Sequence, residues 1–230
     1  MKFVGGLITD FFNVFFPDLC IVCNNHLIKQ EELICSRCLL HLPKTHYHND
    51  RDNPVAQLFW GRTKIEHAAS YFRFNKGSHY QDMMHKFKYH GKKEIGYVLG
   101  KSYGNQLRFS SFSDVDVIVP VPLHKNKLKK RGYNQSEWIG KGLSETMKIP
   151  LDVKSLVRAV ATETQTRKSR FERWKNVESI FKITNEEVFV GKHVLIVDDV
   201  VTTGSTLEAC ANVLLELNGT KVSIATLAVA

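Results

Sequence analysis

The chain has 230 residues, 43% of them hydrophobic and 24% charged, too apolar a balance for a disordered polypeptide and an ordinary one for a folded protein. Lys and Arg number 32 against 23 Asp and Glu, a net charge of +9, which favours an anionic partner such as a phosphorylated small molecule, nucleic acid or acidic lipid. No run reaches the roughly 18 uninterrupted apolar residues that a membrane span requires.

The charge is uneven. Residues 176–230 hold three basic and seven acidic residues, a net of −4, which leaves +13 on residues 1–175. A surface shaped by solubility alone would mix the signs. The N-terminal segment carries Phe3, Val4, Leu7, Ile8, Phe11, Phe12 and Phe15 at helical spacing, and Pro17 ends the pattern. Asp10 and Asn13 interrupt it and no small-residue cleavage site follows, so it does not read as a signal peptide. Two readings stay open: a helix docked on its own core, or a peripheral contact with a partner or membrane surface.

Four cysteines follow as two C-x-x-C pairs, Cys20 with Cys23 and Cys35 with Cys38. Two such knuckles predict a tetrahedral thiolate site for structural zinc. A cytoplasmic, reducing setting argues against disulfides. His26, His41, His46 and His48 lie nearby but are not needed to complete a four-thiolate shell, so they are expected on the surface. Residues 39–63, with Pro43, Pro54 and Gly61, read as a linker between a module at 1–55 and a domain at 60–230.

In that domain, strands are predicted at 65–74, 115–121, 155–160, 180–183, 194–197 and 222–229. Helices are predicted at 78–89, capped by Ser78, and at 94–107, 135–147 and 205–217, the last ended by Asn218-Gly219. Cys210 falls in the apolar pattern of that last helix and reads as a small core residue. Strands alternating with helices give an α/β domain with a mainly parallel sheet.

The most informative segment is HVLIVDDVVTTGSTLEAC, residues 193–210. An apolar strand runs into Asp198 and Asp199, and two valines lead to Thr202, Thr203, Gly204, Ser205 and Thr206 before a helix begins. Ligands of open α/β sheets bind at the carboxyl ends of strands. A loop of small hydroxylated residues opening a helix can cradle a phosphate with its N–H groups, and paired carboxylates can take sugar hydroxyls directly or through Mg²⁺. The combination suits a ribose 5-phosphate.

This loop resembles the phosphoribosyl diphosphate (PRPP) signature of type I phosphoribosyltransferases. Residues 115–143, VDVIVPVPLHKNKLKKRGYNQSEWIGKGL, and 162–181, TETQTRKSRFERWKNVESIF, are similar to the ComF family of competence proteins, which also carries an N-terminal four-cysteine zinc module. The resemblance covers nearly the whole chain. It implies a type I phosphoribosyltransferase-like sheet with flanking helices, and PRPP bound with Mg²⁺ at Asp198, Asp199, Thr202, Thr203, Gly204, Ser205 and Thr206. It also implies a pyrophosphate-receiving loop at the basic run 124–131, where Arg131 is the candidate diphosphate contact, and a lid over the ligand at 162–176 with Arg167, Lys168, Arg170, Arg173 and Lys175. A further basic stretch, Lys86, Lys88, Lys92 and Lys93 with His79, His85 and His90, reads in good part as solubility.

Two functions compete. The resemblance implies a role in natural transformation, handling incoming single-stranded DNA at the cytoplasmic side together with DNA-uptake proteins. Basic surface and aromatics such as Tyr89, Tyr133 and Trp174 would serve it through phosphate pairing and stacking. The alternative is a phosphoribosyltransferase of nucleotide metabolism or salvage, in which Asp198 and Asp199 serve displacement of pyrophosphate from PRPP.

Overall fold

A computed structural model describes residues 17–74, 77–158 and 180–230. The helix expected over residues 3–15, the end of the strand expected at 155–160, and the lid expected at 162–176 with Trp174 lie outside the described residues.

Four strands, β1 (Ala68–Arg73), β2 (Val117–Pro120), β5 (His193–Val201) and β6 (Lys221–Val229), form one sheet in the order β1-β6-β5-β2. Every pairing in it is parallel, with Val197 opposite Ala225 and Asp198 opposite Thr226. A parallel sheet is covered on both faces, so its strands read as continuous apolar runs rather than as alternations. Accordingly β1, expected to alternate, is buried at five successive positions. The remaining strands, β3 (Leu156–Arg158) and β4 (Phe181–Ile183), pair antiparallel in a sheet of their own.

Helices α3 (His79–Tyr89), α4 (Glu94–Leu107) and α6 (Gln135–Met147) follow the expected spans, and Ser78 accepts from Gln81 N–H as the cap of α3. Leu195, Val197, Ala225 and Leu227 face these helices in one core. Val194, Ile196, Val222 and Ile224 face the other way, toward α7 (Ser205–Leu215) and the β3–β4 pair. Cys210 is fully buried there. Helices α4 and α6 meet backbone to backbone: a Cβ on Gly142 would stand 2.2 Å from the Tyr97 carbonyl oxygen, and one on Gly100 2.4 Å from that of Ile139.

Both sheet edges are covered. Thr45 N–H donates to Tyr71 O and Arg73 N–H to Pro43 O, at 3.0 and 2.9 Å, along the outer side of β1. On the far side Ile118 N–H donates to Pro150 O and Asp152 N–H to Ile118 O, each at 2.9 Å.

The supposed linker at 39–63 is ordered and packed. The end of α1 (Ser36–Leu40) overlaps its start, and a turn at Tyr47–Asn49 and α2 (Pro54–Gln57) lie within it. Asn53 is buried with its Nδ2 2.7–3.2 Å from the carbonyl oxygens of Tyr47, Asp50 and Ala68, which share its two hydrogens, while its Oδ1 caps α2 by accepting from Val55 and Ala56 N–H. Phe59 is fully buried. The expectation for His48 also fails: its ring is buried edge-on against Tyr103, at 6.4 Å between centroids. Burial, then the neighbouring His46, hold its pKa below the usual histidine range. His26, His41 and His46 are exposed as expected.

The cysteine segment shares the core of the sheet. Cys20, Val22, Ile34, Cys35 and Cys38 join one apolar cluster with Met83, Met84 and Phe87 of α3. Tyr80 OH donates to Cys38 O at 2.9 Å, and Lys86 Nζ to Ile21 O at 3.2 Å. Disrupting the cysteines therefore loosens the packing of α3. Replacing Cys20 and Cys23 by Ser is expected to lower the melting temperature of the whole chain, by about 2–4 °C for each kcal/mol lost in a domain of this size. Circular dichroism on wild type and variant measures it; coincident melts would show that the segment contributes nothing to the core.

Candidate functional site at the carboxyl end of the sheet

Because all four strands of the main sheet are parallel, the ends of β2 and β5 open on the same side. There Asp198 and Asp199 sit side by side, both partly buried. Asp198 Oδ1 accepts from Ser136 Oγ and from the backbone N–H of Asp199, each at 2.8 Å. Ser136 lies in the first turn of α6, whose cap is Asn134. Lys88, near the end of α3, brings Nζ to 3.0 Å from Asp199 Oδ2. Burial first, and then the charge of Asp199, push the Asp198 pKa up to about 7, against the opposing pull of Ser136, the Asp199 N–H and Lys88.

Beyond the acids, Gly204 takes φ +76 and forms the N-cap of α7. That left-handed turn suits glycine. Its position is also confined, because a Cβ there would come within 3.1 Å of the Phe59 ring. Thr203 Oγ1 and Ser205 Oγ are hydrogen-bonded at 3.0 Å. Asp198 and residues 202–206 line one open concavity of about 60 Å³. Thr202, Thr203, Ser205 and Thr206 are exposed at its rim. The structure thus gathers one carboxylate, that of Asp198, a set of hydroxyls and the start of an eleven-residue helix around one small space, with Asp199 next in sequence but outside its lining, an arrangement able to take an anion beside a polyol.

Residues 58–63 brace this loop from behind. Arg62 Nη1 donates to Thr203 O at 3.1 Å, its Nη2 pairs with Glu208, and Thr63 Oγ1 donates to Asn212 Oδ1 at 2.9 Å. Phe59, Arg62, Ser136 and Lys88 were not singled out as site residues by the sequence. Each acts through a partner 62 to 146 positions away, and no local spacing announces such a contact.

The basic run forms α5 (Lys125–Arg131), a helix with no buried residue. Arg131 does not line the concavity. It donates to Gln135 Oε1 at 2.8 Å, and its guanidinium lies 5.3 Å from the ring centroid of Tyr89. Tyr89 is exposed. Tyr133, by contrast, is partly buried and its hydroxyl donates to Phe87 O, so it offers no open stacking face.

The four cysteine sulfurs lie within 4.8 Å of one another, and all are free thiols. Cys35 N–H donates to Cys20 Sγ at 3.3 Å and Cys38 N–H to Cys35 Sγ at 3.4 Å. Burial opposes the Cys20 thiolate, but N–H groups of Cys35, Cys23 and Val22 outweigh it and bring the pKa down to about 7, whereas burial pushes the Cys35 and Cys38 thiols up. Four converging sulfurs with N–H support fit a metal ion held by thiolates.

Residues 127–229 match the phosphoribosyl transferase domain family. The DNA utilization protein YhgH of Escherichia coli (strain K12) is 29% identical over 214 residues, spanning 90% of this chain and 88% of that protein. Competence protein ComFC of Bacillus subtilis (strain 168) is 32% identical over 212 residues, spanning 87% of this chain and 80% of that one. Competence protein F of Haemophilus influenzae (strain ATCC 51907 / DSM 11121 / KW20 / Rd) is 33% identical over 111 residues, 47% of this chain and 48% of that one.

The raised pKa of Asp198 has a consequence for stability. The folded chain holds this proton more tightly than the unfolded chain, where an aspartate titrates near 3.8. The associated stability is present in full below that value and is lost as pH rises through about 7. Asp198→Asn is therefore expected to flatten this fall and to melt above wild type at about pH 8. Melting temperatures across the range check it, and an unchanged profile would place the destabilising charge elsewhere.

Proposed function

Since the chain belongs to the ComF family, built on a phosphoribosyltransferase domain, we propose that it binds PRPP with Mg²⁺ at Asp198, Asp199 and residues 202–206, and handles incoming single-stranded DNA in natural transformation at the cytoplasmic side. The observation that carries the PRPP reading is the concavity where Asp198 meets the hydroxyl-rimmed start of α7. The helix N-terminus and its loop N–H groups receive the 5-phosphate. Gly204 lets the backbone come close, and the hydroxyls of Thr202, Thr203, Ser205 and Thr206 add donors. The carboxylates hold ribose hydroxyls, directly or through Mg²⁺, which would neutralise the diphosphate. Arg131, held on Gln135 and Tyr89, would have to turn to reach that diphosphate.

The cysteine cluster is assigned to structural zinc. Four thiolates close the tetrahedral shell and leave no open position for a substrate, so the ion's contribution is to the packing of α3. For DNA, support comes from the charge of residues 1–175, the exposed lysines of α5 and the exposed Tyr89, whose ring Arg131 adjoins. Competence and DNA utilization are what the relatives' names record. Among the described residues no helix is long and apolar enough to cross a membrane.

Calorimetric titration of PRPP with Mg²⁺ into wild type and Asp198→Asn/Asp199→Asn tests the site. Each charged hydrogen bond lost costs about 1.5–3 kcal/mol, so affinity should fall by about tenfold or more; equal affinity in a folded double variant would sink the assignment. Pyrophosphate release, assayed in the same samples, separates a bound signal from a consumed substrate. For DNA, affinity for a mixed-sequence single strand should fall by about 0.7 log units per neutralised phosphate for each tenfold rise in salt. Absence of binding at low salt would exclude the isolated chain as a DNA-binding protein.

A further inference from the structure

The acid pair already holds a cation. Lys88 Nζ stands 3.0 Å from Asp199 Oδ2, and the two side chains are only 23% and 14% exposed. An ion pair open to water contributes little; this one is largely sheltered.

The backbone that carries Lys88 is fixed on several sides. Met83, Met84 and Phe87 are buried in the core. Tyr80 and Lys86 are tied to the carbonyls of Cys38 and Ile21 in the cysteine segment, and the Phe87 carbonyl accepts from Tyr133. Helix α3 therefore cannot roll away without breaking these contacts. The lysine side chain is different: its ammonium rides on a flexible four-carbon stem. The head group can leave Asp199 while its Cα stays in place.

Resting on the reading that this loop receives PRPP with a divalent cation, we propose that Lys88 is a transferable counter-ion. Its ammonium fills the cation position at Asp199. When the ligand arrives, Lys88 cedes the carboxylate to Mg²⁺ or a ribose hydroxyl and pairs with anionic oxygens of the diphosphate. Two consequences follow from charge alone. A free divalent cation must compete with the resident ammonium for Asp199, so it binds poorly by itself. A cation arriving with an anionic ligand meets no such competition, because the ligand offers the lysine a new partner. The site thereby prefers the metal–ligand complex over the bare metal.

The test pairs two probes on the full-length, metal-loaded chain. Mn²⁺ alone, followed by electron paramagnetic resonance, reports the cation position; PRPP with Mg²⁺, followed by calorimetry, reports the ligand. Lys88→Met is expected to bind Mn²⁺ about tenfold or more tightly than wild type and PRPP about tenfold or more weakly. Lys88→Arg, which keeps the charge, should stay close to wild type in both. Opposite movement of the two affinities is the signature, since a lysine that merely props the helix would weaken both together. Parallel loss, or no change in Mn²⁺ affinity, overturns the proposal; unchanged PRPP affinity overturns the transfer step. If wild type binds no PRPP, the PRPP reading itself fails, and the Mn²⁺ arm still decides whether Lys88 holds the cation position. Thermal melts confirm that each variant is folded, and Lys88→Gln is read the same way should Lys88→Met not fold.

Discussion

Two adjacent carboxylates at the end of a buried parallel strand repel each other and lack the water that would screen them. The surrounding elements answer that cost from several directions. Helix α6 brings the Ser136 hydroxyl to Asp198, the chain's own N–H at Asp199 turns back onto the same oxygen, and α3 brings Lys88 to Asp199. Each of these needs its helix fixed in place. The close approach at Gly100 and Gly142 locks α6 on α4. The contacts of Tyr80 and Lys86 lock α3 on the cysteine segment. A metal held by the four cysteines, remote from the acids in sequence, would thus bear on them through one helix.

The parts of this arrangement that the sequence reveals are those encoded locally. Paired C-x-x-C spacing brings four sulfurs together because each knuckle is a tight turn, and the structure places them within 4.8 Å of one another. The sequence Asp-Asp followed by Thr-Thr-Gly-Ser-Thr at a strand-to-helix junction is legible for the same reason, since strand, turn and helix start are consecutive. The helices carry their own caps in Ser78 and Asn134.

Features that depend on distant partners were not legible. Residues 39–63 read as a linker because their polar and proline-rich composition resembles one. Asn53 is nevertheless buried through hydrogen bonds to three carbonyls, and Phe59 becomes a wall of the ligand loop by lying against Gly204. His48 is drawn inside by Tyr103, fifty-five positions away. Lys88 sits among lysines with the same composition and spacing, and only the folded position of β5 distinguishes it from them.

The covered edges of the sheet restrict how the molecule can meet a polypeptide. Residues 43–45 lie along the outside of β1, and residues 150–152 lie along the outside of β2. A sheet whose outer backbone groups are already taken offers no template for another strand. At Tyr71, Arg73 and Ile118 an incoming chain would therefore have to displace these segments before it could lengthen the sheet by strand addition. Among the described residues, association that leaves those segments in place proceeds through side chains on helices and loops, where it depends on shape and charge, or at the separate β3–β4 pair.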